Sequence, residues 1–161
     1  MDMPGKIAIT AAILSLLLFN LVFAGGGWHT DIRVRLLDAE NRLIIGQRPE
    51  AADEWNARYD VPALLFGDIM AYIEEPGGGR YWRKIKNYRE GYLDTKIWDL
   101  VVESPLEGEM VKLNWNSSNF PTGMKIILVD TTTGNEIDMK IQAEYSYQNV
   151  GKRKFQVEVQ H

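Results

Sequence analysis

The fold class is decided by the stretch Val111-Lys112-Leu113-Asn114-Trp115, in which apolar and polar side chains alternate strictly. Successive side chains of a β-strand point to opposite faces, so this period of two predicts a strand with one buried face and one solvent-exposed face. The pattern predicts that Trp115 lies in the core, on the face that it shares with Val111 and Leu113.

A hairpin is predicted near the start of the chain by the same alternation. Ile32, Val34 and Leu36 alternate with charged residues, residues 38–41 carry a turn signal, and residues 43–45 bring the chain back. Two such runs on either side of a short turn are typical of two antiparallel strands.

Short apolar or alternating stretches recur through the second half of the chain. Gly134 and Asn135 separate two of them and can adopt the positive φ angles that a tight hairpin demands. Short strands with turns between them favour an antiparallel sandwich, so the predicted fold class is all-β, an Ig-like or fibronectin-like β-sandwich. The stretches cover residues 98–102, 125–129, 137–141, 145–147 and 155–159.

Residues 49–56 depart from strand patterning and predict one short helical turn. Pro49 suits the first helical position, where its missing N–H is harmless, and Glu50 suits the positive end of the helix dipole. This non-strand segment is expected to end at Val61-Pro62, because a residue that precedes proline disfavours the helical region of φ/ψ space.

Residues 1–24 have the layout of a secretory signal peptide with an apolar helix. Val22 and Ala24 occupy the minus-three and minus-one positions of a small-residue cleavage site, just before Gly25. The alternative is an uncleaved anchor, because the apolar run approaches the length of about 20 residues that spans a bilayer. We therefore expect export by the general secretory route to the cell surface or the extracellular space, and contact with a membrane only if residues 1–24 are retained.

Length and composition narrow the classes of partner. The 161 residues carry a formal net charge of −4 and no cysteine. One domain over residues 25–161 is expected at this length. The lack of cysteine excludes a disulfide framework, so cohesion must come from packing and sheet hydrogen bonds. Nucleic acid is not an expected partner, since its binding relies on clustered positive charge.

The order of several short motifs resembles the Ig-like β-sandwich module found near the C-terminus of many bacterial surface and secreted proteins, often ahead of a type IX sorting sequence. The resemblance implies the fold and a setting at the cell surface, and it implies no catalytic residues. Only Gln160 and His161 follow the last strand, so no sorting tail is expected. The motifs are Gly46 with Pro49 to Trp55, Tyr59-Asp60-Val61-Pro62, Trp98 to Ser104, Val111 to Trp115, Leu128 to Gly134, Ile137 to Met139, Tyr145 to Tyr147 and Phe155 to Val159.

The best candidate for a binding site is a basic and aromatic stretch within residues 80–89. Basic side chains among aromatic rings can bind anionic polymers, such as an acidic polysaccharide, through charge and stacking. The alternative is a solvated edge strand whose positive charges prevent unwanted pairing with other sheets. The candidate residues are Arg80, Tyr81, Trp82, Arg83, Lys84, Lys86 and Arg89, with Tyr88 among them.

Other candidate sites have simpler explanations. Asp53, Glu54 and Asp60 could bind calcium, but the spacing of a calcium loop is absent, and a solvated turn is the preferred interpretation. His29 and His161 are the only histidines, so no metal site and no cofactor are expected. The rings Trp98, Trp115, Tyr145, Tyr147 and Phe155 could form a carbohydrate platform, but such rings are more often core.

The sequence therefore predicts a secreted, non-enzymatic β-sandwich module for binding or assembly at the cell surface. An enzyme is not expected, because no Ser or Cys nucleophile lies in a catalytic setting. The alternative function is that of a small carbohydrate- or polyanion-binding protein that uses the basic stretch. The expected partner is accordingly a surface protein or an anionic polysaccharide.

Overall fold

The computed structural model describes residues 26–77, 83–91 and 94–160, and this part of the chain is all-β without any helix. The predicted fold class is confirmed at that level, while the signal helix predicted over residues 1–24 lies outside the described residues. The strands in chain order are β1 (Trp28–Leu36), β2 (Ala39–Arg48), β3 (Val61–Pro62), β4 (Met70–Glu74), β5 (Arg83–Glu90), β6 (Lys96–Glu103), β7 (Met110–Trp115), β8 (Lys125–Asp130), β9 (Asn135–Asp138), β10 (Glu144–Gln148) and β11 (Lys152–Gln160).

These strands form one sheet in the order β10-β7-β1-β2-β5-β4-β6-β11-β8-β9, with β3 attached to β5. All neighbours are antiparallel except β2 and β5, which run parallel. The sheet curls nearly into a closed barrel. A hydrogen bond of 2.8 Å from the Tyr145 hydroxyl to Asp130 connects β10, at one end of the strand order, to β8, the last strand but one at the other end.

The inner face of the curled sheet holds one large core, and the alternation in the sequence explains it. Val111 and Leu113 are fully buried and Trp115 nearly so, which confirms the predicted facing of β7. The Trp115 indole N–H donates to the backbone carbonyls of Met139 and Gln142, at 2.9 and 2.8 Å. Each large apolar side chain buried in this way contributes about 1.5–3 kcal/mol of folding free energy.

The aromatic rings considered as a carbohydrate platform belong mostly to this core. Trp98 and Phe155 are fully buried and Tyr147 is 5% exposed, while Tyr145 is half-buried. Tyr147 and Phe155 pack with their ring centroids 5.4 Å apart. The core interpretation of these rings is confirmed.

The predicted first hairpin is confirmed, although its turn is shorter than expected. β1 and β2 pair from Trp28 opposite Gln47 to Leu36 opposite Ala39, so only Leu37 and Asp38 form the turn. Leu37 has a φ of 51°, a left-handed conformation that costs a branched L-residue about 1–2 kcal/mol.

The second predicted hairpin is confirmed in its turn but not in its length. Gly134 has a φ of 75°, as expected, whereas Asn135 already begins β9. The returning strand ends at Asp138 rather than continuing to Ile141, because the Asp138 carbonyl accepts the N–H groups of Ile141 and Gln142 in a turn. Ile141 is consequently 82% exposed.

The helical turn predicted over residues 49–56 is wrong. The chain there makes one turn at residues 49–50 and is then irregular. Two acidic side chains hold the chain on this irregular path: Asp53 accepts the backbone N–H of Glu90 at 3.1 Å, and Asp60 accepts that of Asn56 at 3.0 Å. These side-chain bonds replace the helical ones.

The edge position expected for the basic stretch is also wrong. β5 pairs with β2 on one side and with β4 on the other, so it lies within the sheet. The basic side chains of β5 therefore do not serve to protect an edge of the sheet from pairing with other strands.

Candidate functional site

A second, small core lies on the face of β2 and β5 that points away from the large core. Residues 49–60 cross this face, and Ala51, Tyr59 and Tyr88 are buried there against Ile44. The Arg48 guanidinium lies over the Tyr88 ring, 4.9 Å from its centroid, a distance that permits cation–π attraction. The loop is thus fixed to the sheet by packing, and its polar side chains are held at set positions.

Asp60 is the polar centre of this small core, and its side chain is fully buried. Its Oδ1 accepts the Asn87 amide N–H and the Tyr88 backbone N–H, both at 3.2 Å. Its Oδ2 accepts the Asn56 backbone N–H at 3.0 Å and the Lys84 ammonium at 3.1 Å. Four donors from the loop and from β5 therefore converge on one carboxylate.

Lys84 is the most deeply buried charged side chain of β5, with 1% of its side chain exposed. Its Nζ lies 3.1 Å from Asp60 Oδ2 and 3.1 Å from Glu75 Oε1. The Trp55 ring lies beside it, with its centroid 5.6 Å from Nζ. Glu75 also faces the Arg89 guanidinium at 3.5 Å. Lys84, Asp60 and Glu75 form what we call the buried triad.

The structure separates the residues predicted to bind an anionic polymer. Lys84 is enclosed in the buried triad, and Arg89 is half-buried against Glu75. Arg83 lies over the Tyr72 ring at 4.8 Å, and Lys86 lies over the Tyr88 ring at 5.2 Å. Arg80, Tyr81 and Trp82 lie outside the described residues, so their part of the hypothesis stays a prediction.

The carboxylates considered for calcium do not converge. Asp53 pairs with Lys96 at 2.6 Å, Asp60 belongs to the buried triad, and Glu54 is exposed. Burial would raise the pKa of Asp53, but the Lys96 ammonium and the Glu90 N–H outweigh it and hold that pKa below its usual range. Within the described ranges, no group of three or more His, Cys, Asp or Glu side chains could hold a metal ion.

A groove of about 630 Å³ runs along β4, β6 and β11, and its charged groups are already paired. Glu74 binds Lys154 at 3.1 Å, and Asp99 accepts the Gln156 amide at 2.8 Å. These four side chains are therefore paired with one another across the groove.

Among the described residues, one end of the sheet carries most of the exposed large apolar side chains. Leu37 and Met110 are neighbours there, since Leu36 pairs with Val111, and Val150 follows β10, whose Gln148 pairs with Met110. A recess of about 430 Å³ brings the start of β2 beside residues 64–69. We call this end the apolar rim; its members, 58% to 75% exposed, are Leu37, Leu64, Phe66, Met110 and Val150.

The apolar rim is bordered by acidic side chains. Asp38, Asp68, Glu107 and Glu109 are exposed, and none of them has an ion-pair partner among the described residues. Glu40 is paired with Arg35, and this hydrogen bond lowers the pKa of Glu40. The surface therefore combines apolar contact area with a negative border.

Sequence reasoning missed both features. Glu75 precedes a Pro-Gly loop, and no pattern signals that it returns to β5. Asp60 stands out in the sequence only as one of three acidic residues and as part of the motif Tyr59-Asp60-Val61-Pro62. The members of the apolar rim are spread over three loops and the first residue of β7, so no local window of sequence shows them as a group. Strand pairing alone brings them together.

Comparisons with protein-family models, with curated proteins and with solved structures found no match. The similarity to Ig-like surface modules therefore rests on the residues quoted above and stays a prediction. Over residues 26–77, 83–91 and 94–160, the structure contains no helix of the length and apolarity needed to cross a membrane.

Proposed function

We propose that this chain is an exported, non-enzymatic β-module that binds a partner protein at the cell surface through the apolar rim. The observation that carries the proposal is the grouping of five exposed large apolar side chains at one end of the sheet. Apolar patches of this kind mark interaction surfaces, because water leaves them favourably when a partner covers them. The Ig-like sandwich architecture and the general secretory route belong to the same proposal.

The chemistry of the rim favours a protein over an anionic polymer. The exposed carboxylates of Asp38, Asp68, Glu107 and Glu109 repel an acidic polysaccharide or an anionic lipid surface. They attract a partner whose apolar centre is bordered by Lys or Arg, and such complementary charge raises the rate and the specificity of association.

The alternative function, polyanion binding by the basic stretch, has less support among the described residues. The Lys84 and Arg89 charges are directed to Glu75 inside the molecule rather than to the surface. A polymer would have to be held by Arg80, Tyr81 and Trp82 together with Lys86.

Surface retention of rim variants tests the proposal. Leu64 and Phe66 are replaced together by Ser, and the fraction of protein held at the surface of the producing cells is compared with the fraction in the medium. Burial of each side chain contributes about 1.5–3 kcal/mol, so retention should fall by more than about tenfold. The stability of the variant should stay within about 0.5 kcal/mol of wild type, because both residues are exposed.

The matched control is Ile141→Ser. Ile141 is at least as exposed as the rim residues, but it lies at the opposite end of β7, where Trp115 bonds the Ala143 carbonyl. The control should keep wild-type retention. Unchanged retention of the rim variant, or an equal loss in the control, would show that the rim does not bind the partner.

A further inference from the structure

We propose that Lys84 and Asp60 react with each other in the folded protein to form an intramolecular amide bond, with Glu75 as the proton carrier. The geometry points to this self-modification because Lys84 Nζ lies 3.1 Å from both carboxylates, and the side chains of Lys84 and Asp60 are almost completely buried. The inference is independent of the proposed binding function.

The first requirement is proximity of the nucleophile to the carbonyl group. Lys84 Nζ lies 3.1 Å from Asp60 Oδ2, the oxygen bonded to the Cγ carbon that the nitrogen would attack, and the fixed loop and β5 hold both groups in place. Once the nitrogen is aligned with that carbon, two groups held together in this way behave as though one were present at about 10⁵–10⁸ M. An amide that does not form in dilute solution can form at such an effective concentration.

The second requirement is stabilisation of the negative oxygen that develops during attack. Asp60 Oδ1 already accepts two N–H donors, from Asn87 and Tyr88, at 3.2 Å each. Preorganised donors of this kind stabilise the oxyanion of a tetrahedral intermediate. Oδ1 therefore becomes the carbonyl oxygen of the product, and Oδ2 is the oxygen that leaves.

The third requirement is a base beside the amine. Glu75 Oε1 lies 3.1 Å from Lys84 Nζ and can accept a proton from the ammonium. The Arg89 guanidinium, at 3.5 Å, keeps Glu75 oriented while the proton is carried. Glu75 touches the reacting nitrogen and is in this sense a catalytic residue.

The step balances without an external reactant. The Nζ electron pair forms a bond to the Asp60 Cγ carbon, and the bond from Cγ to Oδ2 breaks with its electrons on the oxygen. Nζ loses two protons and Oδ2 gains two, so one water molecule leaves and Glu75 ends unchanged. The reaction removes two buried charges, whose desolvation is costly. The burial of Lys84 and Asp60 then protects the amide from hydrolysis by water.

The test is mass spectrometry of the purified, denatured wild-type protein. We expect an intact mass lower than the mass of the processed sequence by one water molecule, and a branched peptide that joins Lys84 to Asp60 after proteolysis. The Glu75→Gln variant keeps the size of the side chain but lacks the base, so it should remain unlinked. Lys84→Arg keeps the positive charge without a nucleophilic amine and should show the full sequence mass.

Three results would overturn the proposal. The first is a folded wild-type protein that keeps the full sequence mass after prolonged incubation and yields separate peptides on proteolysis. Lys84 and Asp60 would then form an ion pair and no amide. The second is the loss of water in Lys84→Arg, which would place the dehydration elsewhere. The third is a branched peptide formed equally fast in Glu75→Gln, which would remove Glu75 from the reaction. The presence or absence of the branched peptide in the wild type decides whether the amide forms, even where a variant fails to fold.

Discussion

Asp130→Asn is the substitution from which we expect the clearest loss of stability. Asp130, at the end of β8, is fully buried and accepts Arg153 Nε at 2.9 Å, the Tyr145 hydroxyl at 2.8 Å and the Thr132 N–H at 3.0 Å. The carboxylate thereby connects β8 to β11 and to β10, where the curled sheet closes. Asn keeps the size of the side chain but leaves the nearly buried guanidinium of Arg153 without its counter-ion.

The expected loss is about 3–5 kcal/mol, the cost of removing one partner from a buried ion pair. With an m-value of about 2 kcal/mol/M, a loss of about 4 kcal/mol lowers the midpoint of urea unfolding by about 2 M. Tryptophan fluorescence follows the transition at pH 7. The double variant Asp130→Asn with Arg153→Met should recover most of the loss, because it leaves no uncompensated charge.

The difference between wild type and variant should depend on pH in a defined direction. Burial would raise the pKa of Asp130, but the hydrogen bonds from Arg153, Tyr145 and Thr132 outweigh it and hold that pKa below its usual range. A lowered folded-state pKa stabilises the protein fully above the unfolded value of about 3.9, and the stabilisation is lost as the pH falls through the folded value. The difference should therefore be constant near neutral pH and shrink below about pH 4. A loss under about 1 kcal/mol, or a difference that does not change in acid, would refute this account of Asp130.

Four further predictions concern three single residues and the position of the N-terminus. Trp115→Ala should cost about 3–5 kcal/mol in urea unfolding, and an unchanged midpoint would place the ring on the surface. Tyr147→Phe should leave stability unchanged or raise it by up to about 1 kcal/mol, because the buried Tyr147 hydroxyl has no hydrogen-bond partner among the described residues; a clear loss would contradict this. Leu37→Gly should stabilise by about 1 kcal/mol in thermal unfolding, since Gly adopts a positive φ without strain, and a lower midpoint would show that the Leu37 side chain contributes contacts. Intact mass of the exported protein should place the N-terminus at Gly25, whereas a retained segment 1–24 in the membrane fraction would identify an anchor.

Local patterns in the sequence predicted the strands whose two faces differ. Val111, Leu113 and Trp115 alternate with polar residues because β7 has one face in the core, and the same holds for β1 and β11. The first hairpin was predictable because its strands are joined by a short turn. Alternation is a local consequence of burial on one side, so one sequence window is enough to detect it.

The parallel pairing of β2 with β5 could not be predicted in this way. The two strands are separated by residues 49–82, and no short-range pattern records which distant strand a chain will meet. The basic composition of β5 favoured an edge position, but a buried ammonium group can be tolerated within a sheet when carboxylates pair with it. Lys84 is such a case, since Asp60 and Glu75 reach it from two different loops.

The helical turn over residues 49–56 was mispredicted for a related reason. Pro49 and Glu50 are typical of a helix start, but these preferences amount to about 1 kcal/mol or less. The side-chain bonds of Asp53 and Asp60 to backbone N–H groups, together with the packing of Tyr59 on Tyr88, favour an irregular path instead. Tertiary contacts outweighed a weak local preference.

The most direct test of the proposed function is photo-crosslinking from the apolar rim in the producing cells. Phe66 is replaced by p-benzoylphenylalanine, and the same photoreactive residue is placed at Ile141 as the control. The account predicts a discrete crosslinked protein adduct from position 66 that is absent from position 141 and disappears when Leu64 is also replaced by Ser. The absence of any adduct at position 66, or the same adduct from both positions, would contradict the claim that this rim binds a partner protein.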